Sequence, residues 1–303
     1  MNVLIVGLGS IAEKHINALR SIDPQVQLFA LRFSSNSVQV QGINNIYNFS
    51  DLCNFEFDFA IVSNPTAAHY ETIKALIPFK IPLFIEKPLF DTIKDEAILI
   101  EIEEHKIPTY IACNLRFLAC LKFTKEFVKG KRINEVNSYC GSYLPDWRPN
   151  KDFRKIYSAN KEMGGGVHID LIHEIDYIYW FFGMPVKVQS VKTNTSSLEI
   201  SAYDYANYLF EYTSFSASII LNYYRRDAKR SLEIVTLEGT IQVNLLKNEV
   251  SFNDAVVFAS NKTTLDTYED QLRFFIDNVL KNNERFNPIS EAFQILKLCI
   301  EKD

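Results

Sequence analysis

Residues 3–6, 26–31, 57–62, 83–85 and 109–112 are unbroken apolar runs of strand length, separated by segments in which apolar positions recur at helical spacing. Runs without alternation suit strands buried on both faces, and their regular exchange with helices predicts a parallel sheet covered by helices. Between the first two runs stands Gly7-Leu8-Gly9-Ser10-Ile11-Ala12, followed by Ile11, His15, Ala18, Leu19 and Ile22 at helical spacing. The order there is strand, glycine turn, helix. A further helix is expected over 93–105.

Beyond Phe117 the pattern changes. A helix over 119–129 leads into long runs at 134–143, 186–193, 203–212, 215–224 and 232–237, dense in tyrosine and β-branched residues. Several have no helix between them, so antiparallel pairing of neighbours is expected. Two amphipathic segments, 268–280 and 291–300, close the sequence. The predicted organisation is α/β: residues 1–118 as a doubly wound parallel sheet, then residues 119–303 as an α+β domain with a largely antiparallel open sheet. A chain of 303 residues has the length for two such cores.

Composition narrows the partners. With 32 Lys and Arg against 37 Asp and Glu, the net charge of -5 lacks the basic excess of a nucleic-acid binder. Five scattered cysteines form no C-x-x-C pair and have no histidines at ligand spacing, so reduced thiols and no metal site are expected. No apolar run approaches the roughly 18 residues of a membrane span, and the run after Met1 is short and lacks a basic leader. Those features predict a cytoplasmic protein without a membrane partner.

The glycine turn carries the first chemistry. Gly7 suits a tight bend, Gly9 lets backbone approach a pyrophosphate, and Ala12 is small enough for the helix to pack on the strand; Ser10 and Ile11 complete the turn. About 20 residues on, where an acidic residue would hold the ribose of NAD, the sequence has Arg32 with Ser34 nearby. A guanidinium with a neighbouring hydroxyl suits a 2′-phosphate, which predicts a preference for NADP with NAD as the alternative; the competing reading is that Arg32 stacks on adenine or faces water. Two later segments fall at the carboxyl ends of strands. One is Ser63-Asn64-Pro65, leading to His69, which suits local packing or capping better than catalysis; the other is Glu86-Lys87-Pro88. Ser63, Asn64, Pro65, His69, Glu86 and Lys87 are the candidate cofactor contacts at these strand ends.

Taken with the glycine turn, Ser63-Asn64-Pro65 and Glu86-Lys87-Pro88 resemble the glucose-fructose oxidoreductase, inositol dehydrogenase and rhizopine-catabolism family, Gfo/Idh/MocA. The resemblance continues through Asn114-Leu115-Arg116-Phe117 and Gly164-Gly165-Gly166 and weakens after about residue 240. It implies a Rossmann domain followed by an open-sheet domain. It also implies that Lys87 reaches the reacting carbon, that Lys87-Pro88 is cis, that Asn114 lies near the nicotinamide, and that one face of the second sheet pairs subunits into a homo-oligomer, dimer or tetramer. Tyr203, Tyr205, Tyr208, Phe210 and Tyr212 offer aromatic surface for that pairing, or equally core.

Residues 164–177 form the most informative stretch of the second half. Read as one helix, Asp170, His173, Glu174 and Tyr177 fall at i, i+3, i+4 and i+7 on one face of an apolar segment. That is either a structural ion-pair cluster or a stripe aimed into a polar cleft. The family pattern has an aspartate followed four residues later by a histidine. Counting forward from Asp170 puts Glu174 at the histidine position, whereas counting back from Trp180 and Gly183 puts His173 there. His173 has the better pKa for proton transfer near neutrality, and Glu174 is its rival.

The loop over 143–155 mixes rings and charges, and Trp147 and Arg148 there suit a sugar ring and an attached anion; Arg225 and Arg226 are weaker candidates. The expected reaction is hydride transfer between a nicotinamide and a secondary alcohol or ketone carbon of a sugar, cyclitol or nucleotide-linked sugar. Lys87, His173, Asp170 and Glu174 are the candidate catalytic residues; Lys87, Trp147, Arg148, Asp170 and His173 are the candidate substrate contacts. Two alternatives stand beside it: a nicotinamide-binding sensor or scaffold without turnover, and a reductase of imines or conjugated double bonds.

Overall fold

The computed structural model describes residues 1–32 and 39–301. They divide into two compact units. The first is Met1–Asn114 with Leu265–Gln294; the second is Leu115–Thr264 with the chain from Ile295 onward. This differs from the sequence reading in two respects: the first long segment ends at Asn114 rather than at 118, and a stretch near the end of the chain returns to complete the first unit.

The first unit contains β1 (Asn2–Val6), α1 (Ser10–Ile22), β2 (Gln27–Leu31), β3 (Asn44–Ile46), β4 (Phe59–Val62), α2 (His69–Leu76), β5 (Leu83–Ile85), α3 (Ala97–Glu104) and β6 (Thr109–Ile111). The strands are all parallel in the order β3-β2-β1-β4-β5-β6. Val3, Leu4, Ile5 and Val6 are all wholly buried, as are the four residues of β4. Burial on both faces explains why these strands read as continuous apolar runs, and each such Val, Leu, Ile or Phe side chain contributes roughly 1.5–3 kcal/mol. β3 escaped the sequence reading because Ile46 is its only buried residue. The strand order turns back between β1 and β4, which makes the carboxyl ends of these two strands the natural ligand crevice of this sheet.

The second unit contains α4 (Ala119–Phe127), β7 (Ile133–Tyr143), α5 (Val167–Asp170), α6 (His173–Phe182), β8 (Lys187–Thr193), β9 (Tyr205–Glu211), β10 (Ser216–Asn222), β11 (Tyr224–Thr236), β12 (Thr240–Asn244), β13 (Glu249–Phe252) and β14 (Ala255–Ala259). Its sheet runs β14-β13-β12-β11-β7-β10-β9-β8. Neighbours are antiparallel with one exception: β7 and β10 are parallel, with Glu135 opposite Ser216. The sheet is therefore largely antiparallel, as expected; the two strands of the parallel pair are joined by a long link that carries α5 and α6, the kind of crossover a parallel pair requires. β12 to β14 are short and joined by tight turns. At the last of these, Asn253 and Asp254 both adopt positive φ, 48° and 66°, as a two-residue hairpin asks.

Alternation along β9 puts Ala206, Tyr208 and Phe210 into the core, each wholly buried, while Leu209 is exposed. Tyr208 and Phe210 are therefore core residues, and only the remaining tyrosines of that group are left for a subunit contact.

α7 (Asp266–Phe274) packs on α1 in the first unit. Asn114 Nδ2 donates to Thr267 Oγ1 at 2.7 Å, and the Tyr110 hydroxyl to Gln271 Oε1 at 3.3 Å. Farther on, Asn287 exchanges two hydrogen bonds with the Ile111 backbone and Ile289 N–H reaches Thr109 Oγ1. These bonds satisfy groups along the outer side of β6, the edge of its sheet. Among the described residues no helix is long and apolar enough to cross a membrane.

Candidate active site

In the first unit, α1 starts at Ser10 with Gly9 as its N-cap and without a side-chain cap hydrogen bond. Helix N–H groups left without a capping side chain, together with the positive end of the helix dipole, suit a phosphate. Gly7 has φ +92°, and a Cβ there would lie 2.5 Å from Asn64 Cα, so only glycine fits. A Cβ at Gly9 would meet nothing within 4 Å. The space beside the helix start is open, which suits a ligand rather than packing. Ala12 is wholly buried, as expected of the third small position.

Ser63 and Asn64 follow β4 and meet the glycine turn. Ser63 Oγ donates to Gly7 O at 2.9 Å. Asn64 Nδ2 donates to Thr72 Oγ1 at 2.8 Å, while its buried Oδ1 has no hydrogen-bond partner among the described residues. An acceptor left in that state costs stability unless a ligand donor fills it. Pro65 is exposed and opens the turn into α2. His69 does not line this space: it is 1% exposed, with Nδ1 3.0 Å from Leu89 O and Nε2 3.0 Å from Asn64 O. Burial drives its pKa down against the pull of those carbonyls. Its two bonds fasten the loop after β4 to the loop after β5.

Glu86 and Lys87 follow β5. Glu86 is 7% exposed; Oε1 lies 2.6 Å from His15 Nε2, and Oε2 accepts the Lys87 N–H at 3.2 Å. Each Glu86 oxygen thus binds a protein group, which brackets the loop. Lys87 is half-buried, and its peptide bond to Pro88 is cis. Asn114 is 5% exposed, and its amide nitrogen donates to Thr267. Arg32 is half-buried directly after β2, its N–H donating to Ile46 O at 2.8 Å. Ser34 lies outside the described residues.

In the second unit the expected single helix is two. α5 ends at Asp170, Leu171 leaves helical geometry, and α6 begins at His173. The break falls between Asp170 and Trp180, the anchors from which the two counts disagree, and it splits the stripe. Glu174 is wholly buried and receives two hydrogen bonds from Arg230, at 2.6 and 3.0 Å. Tyr177 is wholly buried and shares a 2.6 Å hydrogen bond with Ser138. His173 is 8% exposed at the start of α6. Asp170, half-buried, accepts a short hydrogen bond from the Tyr223 hydroxyl. Burial, followed by the charge of Asp170, holds Tyr223 well above the usual phenol range, so it stays a donor.

Trp147 is 38% exposed; its Nε1 donates to Ser142 Oγ, and its ring meets Tyr223 edge-on at 5.3 Å. Trp147, Tyr223 and Asp170 thus form a connected group. Arg148 is exposed. Arg225 is tied to Asp227, and Arg226 lies over the Tyr143 ring and donates to its hydroxyl.

Several partners were not read from the sequence: His15 beneath Glu86, Tyr223 on Asp170, Arg230 on Glu174, and Arg116, whose guanidinium meets wholly buried Asp176 at 3.0 and 2.8 Å. Each lies far along the chain from its counterpart. The place of Asp176, six residues after Asp170 and off the i, i+3, i+4, i+7 face, was the one visible hint that it turns away from the rest.

Two family profiles match the chain. "Oxidoreductase family, NAD-binding Rossmann fold" covers residues 1–111, and "GFO/IDH/MocA C-terminal domain" covers residues 122–242. An uncharacterized oxidoreductase of Bacillus subtilis (strain 168), YrbE, is 23% identical over 92% of this chain and 86% of its own length. Among solved structures, an Agrobacterium radiobacter oxidoreductase in complex with NAD+, L-tartaric acid and magnesium superposes with TM-score 0.83 at 14% identity, covering 100% of this chain and 95% of that one. Myo-inositol 2-dehydrogenase from Lactobacillus plantarum does so with TM-score 0.77 at 21% identity, covering 99% and 95%.

Proposed function

Since this chain belongs to the GFO/IDH/MocA oxidoreductase family, we propose that it interconverts a secondary alcohol and a ketone on a sugar, cyclitol or nucleotide-linked sugar, with a nicotinamide dinucleotide as cofactor. The observation that carries this reading is the lining of one sheet edge. The carboxyl ends of the adjacent strands β1, β4 and β5 bear the glycine turn, Ser63-Asn64 and Glu86-Lys87 respectively. Gly7 to Ala12 and the start of α1 would hold the diphosphate, and the open Asn64 Oδ1 offers an acceptor for a cofactor N–H or O–H. When bound, the nicotinamide supplies the hydride exchange.

The chain supplies orientation and proton movement. Lys87 holds the substrate oxygen with its ammonium, which polarises the C–O bond. His173 takes the hydroxyl proton during oxidation and returns it during reduction. Asp170, fixed by Tyr223, accepts from the substrate or from His173, and Trp147 offers its exposed ring to the sugar. Glu174 is assigned a structural part, since its carboxylate is wholly buried on Arg230. Lys87→Met and His173→Ala are expected to lower kcat by roughly a hundredfold or more while cofactor Kd changes little. Glu174→Gln is expected to act on stability first.

The test follows absorbance of the reduced cofactor across a panel of cyclitols, hexoses and nucleotide-linked sugars. Turnover that disappears in Lys87→Met supports the reading. Tight cofactor binding without turnover anywhere on the panel favours the sensor, and no cofactor binding overturns both. For the cofactor itself, Arg32 supports NADP over NAD. Titration of both should show NADP binding roughly tenfold more tightly, with Arg32→Ala erasing the difference; tighter binding of NAD removes this part of the proposal. Exposed Leu209 and half-buried Tyr205, on the outer side of β9, support a homo-oligomer, which light scattering decides.

A further inference from the structure

We propose that His15, acting through Glu86, is a positioning residue that sets the direction in which Lys87 leaves the main chain; the inference rests on the part given to Lys87 above. His15 lies on the inward face of α1, where its neighbours Ala12, Ile16 and Leu19 are buried apolar residues. Its ring is wholly buried. An imidazole in such a place is costly unless it is hydrogen-bonded, and a leucine would pack there without that cost.

The bond it makes is specific. Nε2 lies 2.6 Å from Glu86 Oε1, and Nδ1 has no hydrogen-bond partner among the described residues. A proton is needed between Nε2 and a carboxylate oxygen and has no acceptor at Nδ1. The arrangement therefore assigns a hydrogen to Nε2, which donates to Glu86. The second Glu86 oxygen accepts the Lys87 N–H. One carboxylate is thus held from two sides, by a ring on α1 and by the main chain from which the lysine side chain departs.

The ring is held in turn. Phe84 meets it edge-on at 5.1 Å and 77°, and Tyr268 of α7 at 5.6 Å and 63°. Burial and then the charge of Glu86 push the Tyr268 phenol up to about 12, so the ring contributes packing and no charge. A lysine has a long, freely rotating stem, and fixing the peptide at its base removes part of that freedom before substrate arrives. The same α1 also begins at the glycine turn. His15 therefore ties the position of Lys87 to the helix proposed to hold the diphosphate.

The test uses the full chain with His15→Leu, which keeps bulk and loses the donor, and His15→Gln, which keeps an N–H at similar reach. Two quantities are read. The first is kcat on whichever panel substrate the wild type accepts. The second is the rate of acetylation of Lys87 relative to the exposed Lys80 and Lys106 in the same sample, by peptide mass spectrometry, which needs no substrate.

For His15→Leu, kcat is expected to fall roughly tenfold or more with KM and cofactor Kd within about threefold, as for a small misplacement of a reacting group. The Lys87 acetylation ratio should change in the same variant, and His15→Gln should restore much of both. A His15→Leu protein of normal thermal stability with unchanged kcat and an unchanged acetylation ratio overturns the proposal. Should that variant not fold, His15→Asn, whose amide is too short to reach Glu86, takes its place with the same outcomes. If the wild type turns over nothing on the panel, the enzymatic reading above fails, and the acetylation ratio alone still decides whether His15 governs Lys87.

Discussion

Gly7 and Gly9 stand two residues apart and answer different demands. A side chain at Gly7 would collide with the Asn64 backbone at an unfavourable φ, whereas one at Gly9 would enter empty space. Gly7→Ala is therefore expected to destabilise the fold by about 1–3 kcal/mol and to weaken cofactor binding as well. Gly9→Ala should leave the unfolding midpoint within experimental scatter while cofactor affinity falls; chemical denaturation and cofactor titration together separate the two. A second residue carries a pH signature. Burial, reinforced by Lys192, pushes His168 down to about 3. An unfolded chain protonates this histidine near 6.5, so between about pH 6.5 and 3 the unfolded state binds more protons than the folded one. The contribution is complete above that window and is lost as pH falls through it, at up to about 1.4 kcal/mol per pH unit. His168→Gln should flatten stability against pH in that range, measured by urea denaturation at several pH values. The residues legible in the sequence are those whose signal is local, such as the glycine turn or Lys87 at the end of an apolar run. His15 was visible only as one more position on a helical face, because Glu86, the group that gives it meaning, is 71 residues away.

The helices and strands were mostly readable as elements, and less so in their relations. The apolar runs of β1, β2, β4, β5 and β6 announce themselves because both faces are covered. No periodicity states that β7 lies parallel to β10, or that the segment over 164–177 breaks at Leu171 and Ile172. That break matters because it separates Asp170 from the residues whose charges are neutralised inside the second unit. α6 is held there by Asp176, whose carboxylate meets Arg116 of the turn Asn114–Phe117, both nearly without exposure. Removing one partner of such a pair leaves a buried charge uncompensated. Asp176→Ala is expected to cost about 3–5 kcal/mol, read from the denaturation midpoint, whereas replacing both partners by apolar residues should cost less than the single change.

At the scale of the molecule, the first unit is discontinuous in sequence. Residues 1–114 alone lack α7, the polar groups that meet Asn114 and Tyr110, and the Asn287 backbone that pairs with Ile111. A fragment of residues 1–114 is expected to be poorly folded and unable to bind cofactor, and joining it to residues 265–294 through a flexible linker should restore both, checked by circular dichroism and cofactor fluorescence. Nothing in composition or patterning pointed to this return, since 268–280 is simply an amphipathic stretch whose partner face lies elsewhere. The order of synthesis then acquires a meaning. The ribosome adds roughly 150 residues between Asn114 and Leu265, a delay of roughly 8–30 s at ordinary elongation rates. During that interval the surfaces of α1 and β6 that α7 and Asn287 will cover face solvent or a chaperone, so the part of the protein that is translated first is among the last to be finished.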